Sequence, residues 1–487
     1  RRSSGRNGQG GAEEEALSGS SGLGCSAVQW RDIGVPMDTI VTLTDMGRPE
    51  PTPVQAASIP QVLRRHDTAI QCYTGSGKTL AYLLPLFMLS SSKNKCNVGA
   101  ESEQGTDGKK KTKGRKSDRN SIPAIVIAPT RELAMQITAE AKKLGGGDCV
   151  QQLIGGANIR RQVESLRKKK NLVVAVGTAG RIFDHIEKHA LNIREVQTVV
   201  LDEADELLSE SPRNNYIDHL KQIVSRIRKM NPKLNLVLVS ASLSSRVMQV
   251  AHTKLGMAQV QKVVHSAAGR TPASSDSGNS SVDSPTLAPG LKHIYAFVEE
   301  RHRADMAKRI LLALDAARAL IFVNHDKRVR DTVFKMQSGS LTMAWLEASM
   351  SKKTRQESIR KFREGVIRAI AVSDILARGM DVPDCDVVLN LHPPRDVLNY
   401  VHRAGRTGRI GRNGTVITLL SRAEKVVLKK LTNEIRGLEL HSASIINGTL
   451  ILRKKESIKY SDRSSSKVPI PQGLKRKVKH WFMPKSG

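Results

Sequence analysis

One short segment, residues 72–79, has the residue types and spacing needed to bind phosphate groups. It reads Cys-Tyr-Thr-Gly-Ser-Gly-Lys-Thr, follows an apolar stretch and precedes a helical pattern. Glycines let backbone N–H groups turn toward phosphates at a helix N-terminus, where the helix dipole favours anions. A chance glycine turn is the alternative, so the segment needs support from a second motif. The predicted phosphate-loop residues are Thr74, Gly75, Ser76, Gly77, Lys78, which would neutralise phosphate charge, and Thr79, whose hydroxyl would hold Mg²⁺.

That support comes from an acidic cluster further along the chain. An apolar stretch leads directly into Asp202-Glu203-Ala204-Asp205. Carboxylates at the carboxyl end of a parallel strand face the ligand crevice of a doubly wound sheet. Asp202 is therefore placed to meet Mg²⁺ through water, and Glu203 to polarise the water that attacks the γ-phosphate. Acidic residues that cap a helix are the alternative, but together with the phosphate loop the cluster predicts ATP hydrolysis.

These motifs require parallel strands to position them, and the sequence predicts two sets. Short β-branched runs alternate with longer helical patterns, an order typical of a parallel sheet covered by helices on both faces. The sequence therefore predicts two α/β domains. The expected strands are 68–72, 124–128, 172–176, 198–201 and 234–239 in the first, and 293–298, 319–323, 367–372, 387–391 and 415–420 in the second.

Composition marks the predicted domain boundaries. Stretches rich in Gly, Ser and Pro predict disorder or a flexible linker that lets two domains move independently. The basic insertion and the basic tail are each interpreted as either a nucleic-acid tether or a merely solvated segment. The predicted segments are a disordered leader (1–26), a first domain (27–263) with a basic surface insertion (90–121), a linker (264–290), a second domain (291–440) and a basic tail (441–487).

The charge of the chain indicates a polyanionic partner. Its 487 residues include 78 Lys or Arg against 46 Asp or Glu, a formal net charge of +32, which favours nucleic acid or an anionic membrane. The longest apolar run, residues 80–89, is far shorter than the roughly 20 residues of a membrane helix, so no membrane partner is expected. Aromatic residues make up only 3%, so nucleic acid would be held mainly by its backbone. The five separated cysteines form no CxxC pair and indicate neither a zinc site nor a disulfide framework.

Together these features resemble the DEAD-box RNA helicases of superfamily 2, including the organellar members of plants and algae. Residues 47–55, Gly-Arg-Pro-Glu-Pro-Thr-Pro-Val-Gln, are similar to the family's Q motif. The resemblance implies two RecA-like, doubly wound parallel-sheet domains joined by a flexible linker. It also implies that Thr52 and Gln55 read adenine. Where the family usually has an aromatic residue that stacks on the base, this chain has Arg48, whose guanidinium can also stack.

Several further segments resemble the family's RNA-contacting motifs. In the first domain they are Pro-Thr-Arg-Glu-Leu at 129–133, a glycine pair, and Thr-Ala-Gly-Arg at 178–181, where Ala179 stands in place of the usual Pro. Hydroxyls, arginines and bare glycine backbone suit a phosphate chain read without regard to base. The implied RNA contacts are Thr130, Arg131, Gly155, Gly156, Thr178, Arg181, Arg355 and Ser373.

The second domain resembles the half of the family's ATP site that closes over the phosphates. Residues 373–381 are similar to the motif whose last Asp meets the ATP ribose, which implies nucleotide contacts from Gly379 and Asp381. Residues 400–409 match the final motif, with a cluster of Arg403, Arg406 and Arg409. Arg406 and Arg409 would act as arginine fingers on the γ-phosphate when the domains close.

The resemblance also assigns residues to coupling, catalysis and metal binding. Ser240-Ala241-Ser242 resembles the motif that couples hydrolysis to unwinding, with Ser242 in place of the usual Thr. The implied coupling residues are Asp205, Ser240, Ser242 and His402, the catalytic residues are Lys78, Asp202, Glu203, Arg406 and Arg409, and the Mg²⁺ site is Thr79 and Asp202.

One segment departs from the family pattern near the RNA path. The family usually has His-Gly where this chain has Glu347-Ala348, and Gln where it has Lys352. Glu347 would place a negative charge beside the RNA. The grip of the second domain on RNA is therefore expected to differ from that of the family.

The resemblance implies an RNA-stimulated ATP hydrolase that couples ATP binding and hydrolysis to local RNA unwinding or ribonucleoprotein remodelling. It would act as a monomer on single-stranded or duplex RNA, with ribonucleoprotein partners, ATP and Mg²⁺. A non-catalytic RNA clamp and a DNA translocase of the same superfamily are the alternatives. The basic start and the cysteine pattern fit an organelle, and the resemblance favours the chloroplast before the mitochondrion, with nucleus and cytoplasm as alternatives.

Overall fold

The computed structural model describes two α/β domains. The described residues are 28–98, 122–169, 171–210, 215–258, 260–265, 284–324, 329–337, 341–347, 349–374, 383–409, 412–446 and 449–454.

The first domain contains a seven-stranded sheet, parallel throughout, in the order β3-β4-β2-β5-β6-β1-β7. Its strands are β1 (Thr68–Cys72), β2 (Ala124–Ala128), β3 (Val150–Leu153), β4 (Val174–Thr178), β5 (Thr198–Asp202), β6 (Asn235–Ser240) and β7 (Gln261–His265). Its helices are α1 (Met37–Asp45), α2 (Pro53–Leu63), α3 (Lys78–Val98), α4 (Arg131–Gly145), α5 (Ile159–Lys168), α6 (Ala179–Glu187), α7 (Ala204–Leu207), α8 (Tyr216–Met230) and α9 (Ser245–Leu255).

Helices cover both faces of this sheet, which explains its continuous apolar strands. One face packs against α6, α8 and α9, and the other packs against α2, α3 and α4. Strands β1, β2, β5 and β6 are buried along their whole length, as expected for a parallel sheet with two covered faces. The consequence for function lies in the strand order, because β6 lies between β5 and β1. The loops that follow these three strands therefore meet at one edge of the sheet.

The second domain contains an eight-stranded sheet in the order β10-β11-β9-β12-β13-β8-β14-β15. The described pairs are parallel except β14 with β15. Its strands are β8 (Leu291–Phe297), β9 (Ala319–Phe322), β10 (Met343–Leu346), β11 (Ala369–Val372), β12 (Val387–Asn390), β13 (Gly414–Leu420), β14 (Leu440–Ile446) and β15 (Thr449–Lys454). Its helices are α10 (Arg303–Ala313), α11 (Val329–Met336), α12 (Lys352–Arg363), α13 (Val397–Ala404) and α14 (Lys425–Glu434).

The second sheet continues beyond residue 440, where the sequence predicted only a basic tail. Residues 440–446 and 449–454 form an antiparallel pair that extends the sheet past β8. Leu440 is buried in one apolar core cluster of the domain, and Ile445, Leu450 and Leu452 pack against the other cluster. The apolar alternation of this segment outweighs its basic composition.

Two other predicted boundaries differ from the structure. Helix α3 runs to Val98, so residues 90–98 of the predicted insertion are helical, because they contain no Gly or Pro to end the helix. Residues 284–290 of the predicted flexible linker are held in place: Ser284 O accepts a hydrogen bond from Gln71 at 3.0 Å, and Thr286 N donates to Ala241 O at 3.3 Å. The rest of the insertion, most of the linker, the leader and the remaining tail lie outside the described residues.

All ten predicted strands match observed strands within two residues at each end; the strand predicted at 172–176 is observed two residues later, as β4. Besides β14 and β15, the sequence missed β3, β7 and β10: β3 and β7 mix polar and apolar residues, and β10 is only four residues long. In the described part of the chain, no helix is long and apolar enough to span a membrane.

The packing of α12 predicts a measurable difference between two phenylalanines. Phe362 is fully buried in the second domain, whereas Phe334 is 56% exposed on α11. Phe362→Ala is expected to destabilise the second domain by about 3–5 kcal/mol, because it removes a ring from a closed core. Phe334→Ala is the matched control and should cost about 1 kcal/mol or less. Urea unfolding followed by circular dichroism measures both, and equal losses would contradict the assigned packing.

Candidate nucleotide and RNA site

The phosphate loop lies between β1 and α3 and is shaped by two glycines. Gly75 and Gly77 have φ of 85° and 93°, a region that side chains with a Cβ rarely adopt. Lys78 opens α3 and folds back over the loop, where Nζ donates to Cys72 O at 2.6 Å and Tyr73 O at 3.0 Å. Burial lowers the pKa of Lys78, against the opposing effect of nearby carboxylates. The lysine charge is thus held at the centre of the loop.

Gln55 supports this loop from α2. Its Oε1 accepts from Thr52 N at 2.8 Å, and its Nε2 donates to Gly77 O at 3.0 Å. The residue is 1% exposed, and a Cβ on Gly77 would lie 2.5 Å from Gln55 Nε2. The two hydrogen bonds tie the start of α2 to the phosphate loop. The buried Thr52 hydroxyl has no hydrogen-bond partner among the described residues, and whether Thr52 and Gln55 read adenine stays a prediction.

Arg48 lies at the mouth of the nucleotide cavity. The buried Trp30 indole donates to Arg48 O at 2.9 Å, and Arg48 N donates to Leu43 O at 2.8 Å. Its backbone is therefore fixed while its side chain lines the cavity. This placement suits the predicted stacking of a guanidinium on a base.

Asp202 ends β5 and is held by two donors. Its Oδ2 accepts from the Tyr82 hydroxyl at 2.7 Å, and its Oδ1 accepts from Glu203 N at 2.9 Å. Burial raises the pKa of Asp202 to about 6, although the Tyr82 hydrogen bond and the Lys78 charge oppose this rise. Burial also raises the pKa of Tyr82, so its hydroxyl stays a donor.

Glu203 has a left-handed backbone, with φ of 50° and ψ of 52°. Such a conformation is costly for a residue with a side chain, and strain of this kind is concentrated at functional sites. Its buried Oε2 has no hydrogen-bond partner among the described residues. An acceptor aimed into a cavity in this way is available to a water molecule, as a catalytic base requires.

The cavity above the phosphate loop has walls from both domains and a volume of about 290 Å³. The domains approach each other closely there. A Cβ on Gly75 would lie 2.7 Å from Arg409 Cγ, and a Cβ on Gly405 would lie 1.3 Å from Thr74 Oγ1. The first domain contributes Arg48, Thr74, Gly75, Gly77, Lys78, Thr79, Leu80, Leu133, Gln136, Glu140, Asp202, Glu203, Ser240 and Ala241, and the second contributes His402, Arg406 and Arg409.

The predicted coupling residues form one contact between the domains. His402 Nε2 lies 3.0 Å from Asp205 Oδ2, and both side chains are buried. Burial opposes the charge of Asp205, but His402 and a hydrogen bond with Ser240 outweigh it, so the pKa of Asp205 is lowered. Ser240 Oγ in turn accepts from Ser242 N at 3.0 Å. The end of β6 is therefore linked through Asp205 to α13 of the other domain.

Arg403 does not share the place of Arg406 and Arg409, contrary to the expectation of a single arginine cluster. Its guanidinium is 1% exposed inside the second domain and contacts both oxygens of Asp374, at 2.6 and 2.8 Å. It also lies over the Phe322 ring at 4.9 Å. Helical spacing explains the difference, because Arg403 points inward from α13 whereas Arg406 and Arg409 follow the helix. Arg403 anchors the segment next to Ser373.

A second cleft of about 710 Å³ lies between α4 of the first domain and α12 of the second. It contains four of the predicted RNA contacts: Arg131, Gly155, Gly156 and Arg355. Arg355 Nη1 lies 3.7 Å from Glu132 Oε1 across the domain boundary. The cleft is also lined by Gln356, Arg360 and Arg363. These residues lie on one face of α12, and the sequence motif alone did not indicate them.

The glycine pair makes room for Arg131. A Cβ on Gly156 would lie 2.5 Å from Arg131 Nη1, and one on Gly155 would lie 3.0 Å from Nη2. Thr130 caps α4, with its hydroxyl accepting from Leu133 N at 3.2 Å. Small residues thus let a guanidinium lie flat on the backbone, where it faces the cleft.

Gln162 holds Arg181, which is predicted to contact RNA, and the sequence did not indicate this role. Its Nε2 donates to Ile154 O at 2.9 Å, and its Oε1 contacts both His185 Nε2 at 2.8 Å and Arg181 Nη1 at 3.3 Å. Burial lowers the pKa of His185 to about 4, and the Arg181 charge adds to this. The neutral imidazole can donate to Gln162, which fixes Arg181 at the N-terminal end of α6, next to Thr178.

The remaining predicted residues are only partly described. Ser373 is 4% exposed, and its hydroxyl has no hydrogen-bond partner among the described residues. The Glu347 backbone carbonyl accepts a hydrogen bond from Arg355 Nη2 at 3.4 Å. This contact places Glu347, the acidic residue that departs from the family pattern, beside the cleft. Gly379 and Asp381 lie outside the described residues, as does the Lys352 side chain.

The residues at the first cavity fit a nucleotide phosphate with a hydrated cation. Glycine backbone, Lys78 and two arginines provide positive charge, and Asp202 and Thr79 provide oxygen. The described residues contain no group of three or more His, Cys, Asp or Glu side chains able to hold a metal. One carboxylate, Asp202, and one hydroxyl, Thr79, suit Mg²⁺, which binds through one or two carboxylates, waters and phosphate oxygens.

Comparison with known proteins identifies the family of this chain. The DEAD/DEAH box helicase family model matches residues 52–250, and the helicase conserved C-terminal domain model matches residues 302–411. DEAD-box ATP-dependent RNA helicase 47, mitochondrial, of Arabidopsis thaliana is 34% identical over 454 residues, which cover 88% of this chain and 80% of that protein. The chain belongs to the DEAD-box RNA helicase family.

Other relatives of this DEAD-box protein extend the comparison. CshA of Bacillus subtilis is 30% identical over 406 residues, covering 83% of this chain and 72% of CshA. Two solved structures show the same fold. S. cerevisiae Dbp5 bound to RNA and ADP BeF3 has a TM-score of 0.66 and 22% identity, and the match covers 85% of this chain and 95% of Dbp5. Mss116 bound to ssRNA and UDP-BeF has a TM-score of 0.70 and 22% identity, and the match covers 86% of this chain and 81% of Mss116.

The contact of Gly405 with Thr74 predicts a DEAD-box variant that cannot close. Gly405 has a φ of −69°, so alanine fits its backbone, yet the added methyl would collide with Thr74 in the other domain. Gly405→Ala should reduce RNA-stimulated ATP hydrolysis at least about tenfold, since a misplacement of about 1 Å is enough to cost that much. Thermal unfolding should be unchanged.

Gly147→Ala is the matched control, because no atom lies within 4 Å of its added Cβ. It should keep the hydrolysis rate of the parent protein. Full activity in Gly405→Ala would contradict the closed arrangement described above.

Proposed function

We propose that this DEAD-box protein is an ATP-dependent RNA helicase, an RNA-stimulated ATP hydrolase that separates RNA strands locally or remodels ribonucleoproteins. The observation that carries this proposal is a single cavity lined by Lys78, Asp202 and Glu203 from one domain and by Arg406 and Arg409 from the other. Each domain holds half of the residues that hydrolysis needs. The relatives named above are RNA helicases, which supports the same activity here.

Hydrolysis follows from the positions of charge around the cavity. Backbone N–H groups of the phosphate loop and Lys78 bind the phosphates. Glu203 accepts a proton from the attacking water, and Arg406 and Arg409 stabilise the negative charge that develops on the γ-phosphate. Thr79 and Asp202 would hold Mg²⁺, which when bound neutralises charge on the β- and γ-phosphates.

Binding of RNA and of ATP should reinforce each other. The second cleft also has walls from both domains, so a strand held by Arg131 and Arg355 favours the same closed form as the nucleotide. The Asp205–His402 contact joins the domains beside the nucleotide cavity and exists only when the domains meet. Release of phosphate removes one of the ligands that favour closure, and the domains can separate.

The two alternative functions are less well supported. A clamp without hydrolysis would not need the strained Glu203 or the paired arginines. A DNA translocase is not favoured by the relatives, which are named RNA helicases. We propose action as a monomer, because both half-sites belong to one chain, and an organellar location. The Arabidopsis relative is named mitochondrial, which favours the mitochondrion over the chloroplast that the sequence favoured.

The proposed chemistry predicts loss of activity in two variants. Glu203→Gln and Lys78→Ala are each expected to reduce RNA-stimulated phosphate release at least about 100-fold, because one loses the base and the other the phosphate charge. Lys229→Ala, which changes an exposed lysine on α8, is the control and should be unaffected. If the parent protein releases phosphate equally slowly with and without single-stranded RNA, it is not an RNA-stimulated hydrolase. Equal stimulation by DNA would favour the translocase.

Glu347 predicts an RNA affinity below that of a neutral variant. The Glu347 backbone carbonyl contacts Arg355, which lines the cleft. A carboxylate at this position should repel phosphate, so Glu347→Gln should tighten single-stranded RNA binding by about two- to fivefold at low salt. The gain should shrink as salt rises. Glu300→Gln, an exposed change outside the cleft, is the control. Fluorescence anisotropy measures both affinities, and an unchanged or weaker affinity in Glu347→Gln would show that Glu347 does not face the strand.

A further inference from the structure

Tyr82 joins the two elements that carry the proposed Mg²⁺ ligands. It lies on α3, three residues after Thr79 and four after Lys78, so the three side chains share one helix face. Its side chain is fully buried, and its hydroxyl donates to Asp202 Oδ2 at 2.7 Å. The hydroxyl therefore connects the helix of the phosphate loop with the end of β5.

The hydrogen bond fixes the orientation of the Asp202 carboxylate. Its other oxygen, Oδ1, accepts from Glu203 N at 2.9 Å, so the two oxygens are held from different directions. Asp202 is only 5% exposed, and few water molecules can replace a missing partner. Groups that orient a metal-facing carboxylate commonly affect metal affinity as strongly as the ligands do.

Packing alone does not account for the hydroxyl of Tyr82. A phenylalanine ring would fill the same space between α3 and the sheet, and it would need no hydrogen-bond partner. The hydroxyl instead meets the carboxylate that ends β5, at the edge of the nucleotide cavity. Its contribution is the link between Asp202 and α3, the helix that carries Thr79.

We propose that Tyr82 is a positioning residue for the Mg²⁺ site, because its hydroxyl holds Asp202 in a fixed orientation toward Thr79 before the cation binds. This rests on the proposed function, since it concerns the cation that accompanies ATP. Tyr82 touches neither nucleotide nor reacting atoms in this role. It acts through Asp202.

The test is a Mg²⁺ titration of Tyr82→Phe in the full chain. Binding of a fluorescent ADP analogue should require about tenfold more Mg²⁺ for half-saturation than in the parent protein. Affinity for the analogue in excess EDTA should be unchanged, and the rate of ATP hydrolysis should recover at high Mg²⁺. Tyr295→Phe removes a hydroxyl from a buried tyrosine in the other domain and is the matched control; its Mg²⁺ requirement should equal that of the parent protein.

Three results would overturn the inference in different ways. An unchanged Mg²⁺ requirement in Tyr82→Phe would show that the hydroxyl does not position Asp202. An equal loss of nucleotide affinity with and without Mg²⁺ would show a purely structural role. If the parent protein and the control variant both bind the analogue equally with and without Mg²⁺, Thr79 and Asp202 do not form the cation site; the proposed function fails only if the parent protein also shows no RNA-stimulated phosphate release.

Discussion

The meeting of two sheet edges is the constraint on which the rest of this structure depends. Neither domain alone surrounds a triphosphate: the phosphate loop and carboxylates end strands of the first sheet, and Arg406 and Arg409 follow α13 of the second. Glycines at positions 75 and 405 permit this approach, because a side chain at either would collide with the facing domain. Catalysis therefore requires the two domains to close on each other.

Closure is transmitted through buried polar contacts rather than apolar packing. Asp205 meets His402 across the boundary, and Ser240 and Ser242 lie directly behind it. The neighbouring Ala241 carbonyl accepts two hydrogen bonds from Thr286, at the end of the linker segment. These contacts join the wall of the nucleotide cavity to the second domain and to the linker segment through the end of β6. Polar contacts suit this task, because they can break in water at lower cost than an apolar interface.

The sequence predicted the two-domain fold and most of the site because both depend on local patterns. A glycine loop after an apolar strand, or a carboxylate at a strand end, has one structural meaning in a parallel sheet. What it missed depends on contacts between distant segments. Gln162 and Tyr82 are unremarkable in the sequence, and only folding brings them to Arg181 and Asp202. Arg403 was grouped with Arg406 and Arg409 because spacing cannot tell an inward-facing arginine from one that faces the cavity.

Carboxylates lie beside the arginines of α12 at the cleft that is proposed to hold RNA. The Glu132 carboxylate lies 3.7 Å from Arg355, and Arg360 is paired with Glu357 and Glu364, whereas Glu347 meets Arg355 through its backbone carbonyl. RNA phosphate must compete with these carboxylates for the same guanidinium groups, so part of its binding energy is offset before the strand is held. A clamp balanced in this way releases RNA readily once closure is no longer favoured by nucleotide. Glu347 is therefore expected to lower the affinity for RNA without abolishing RNA binding.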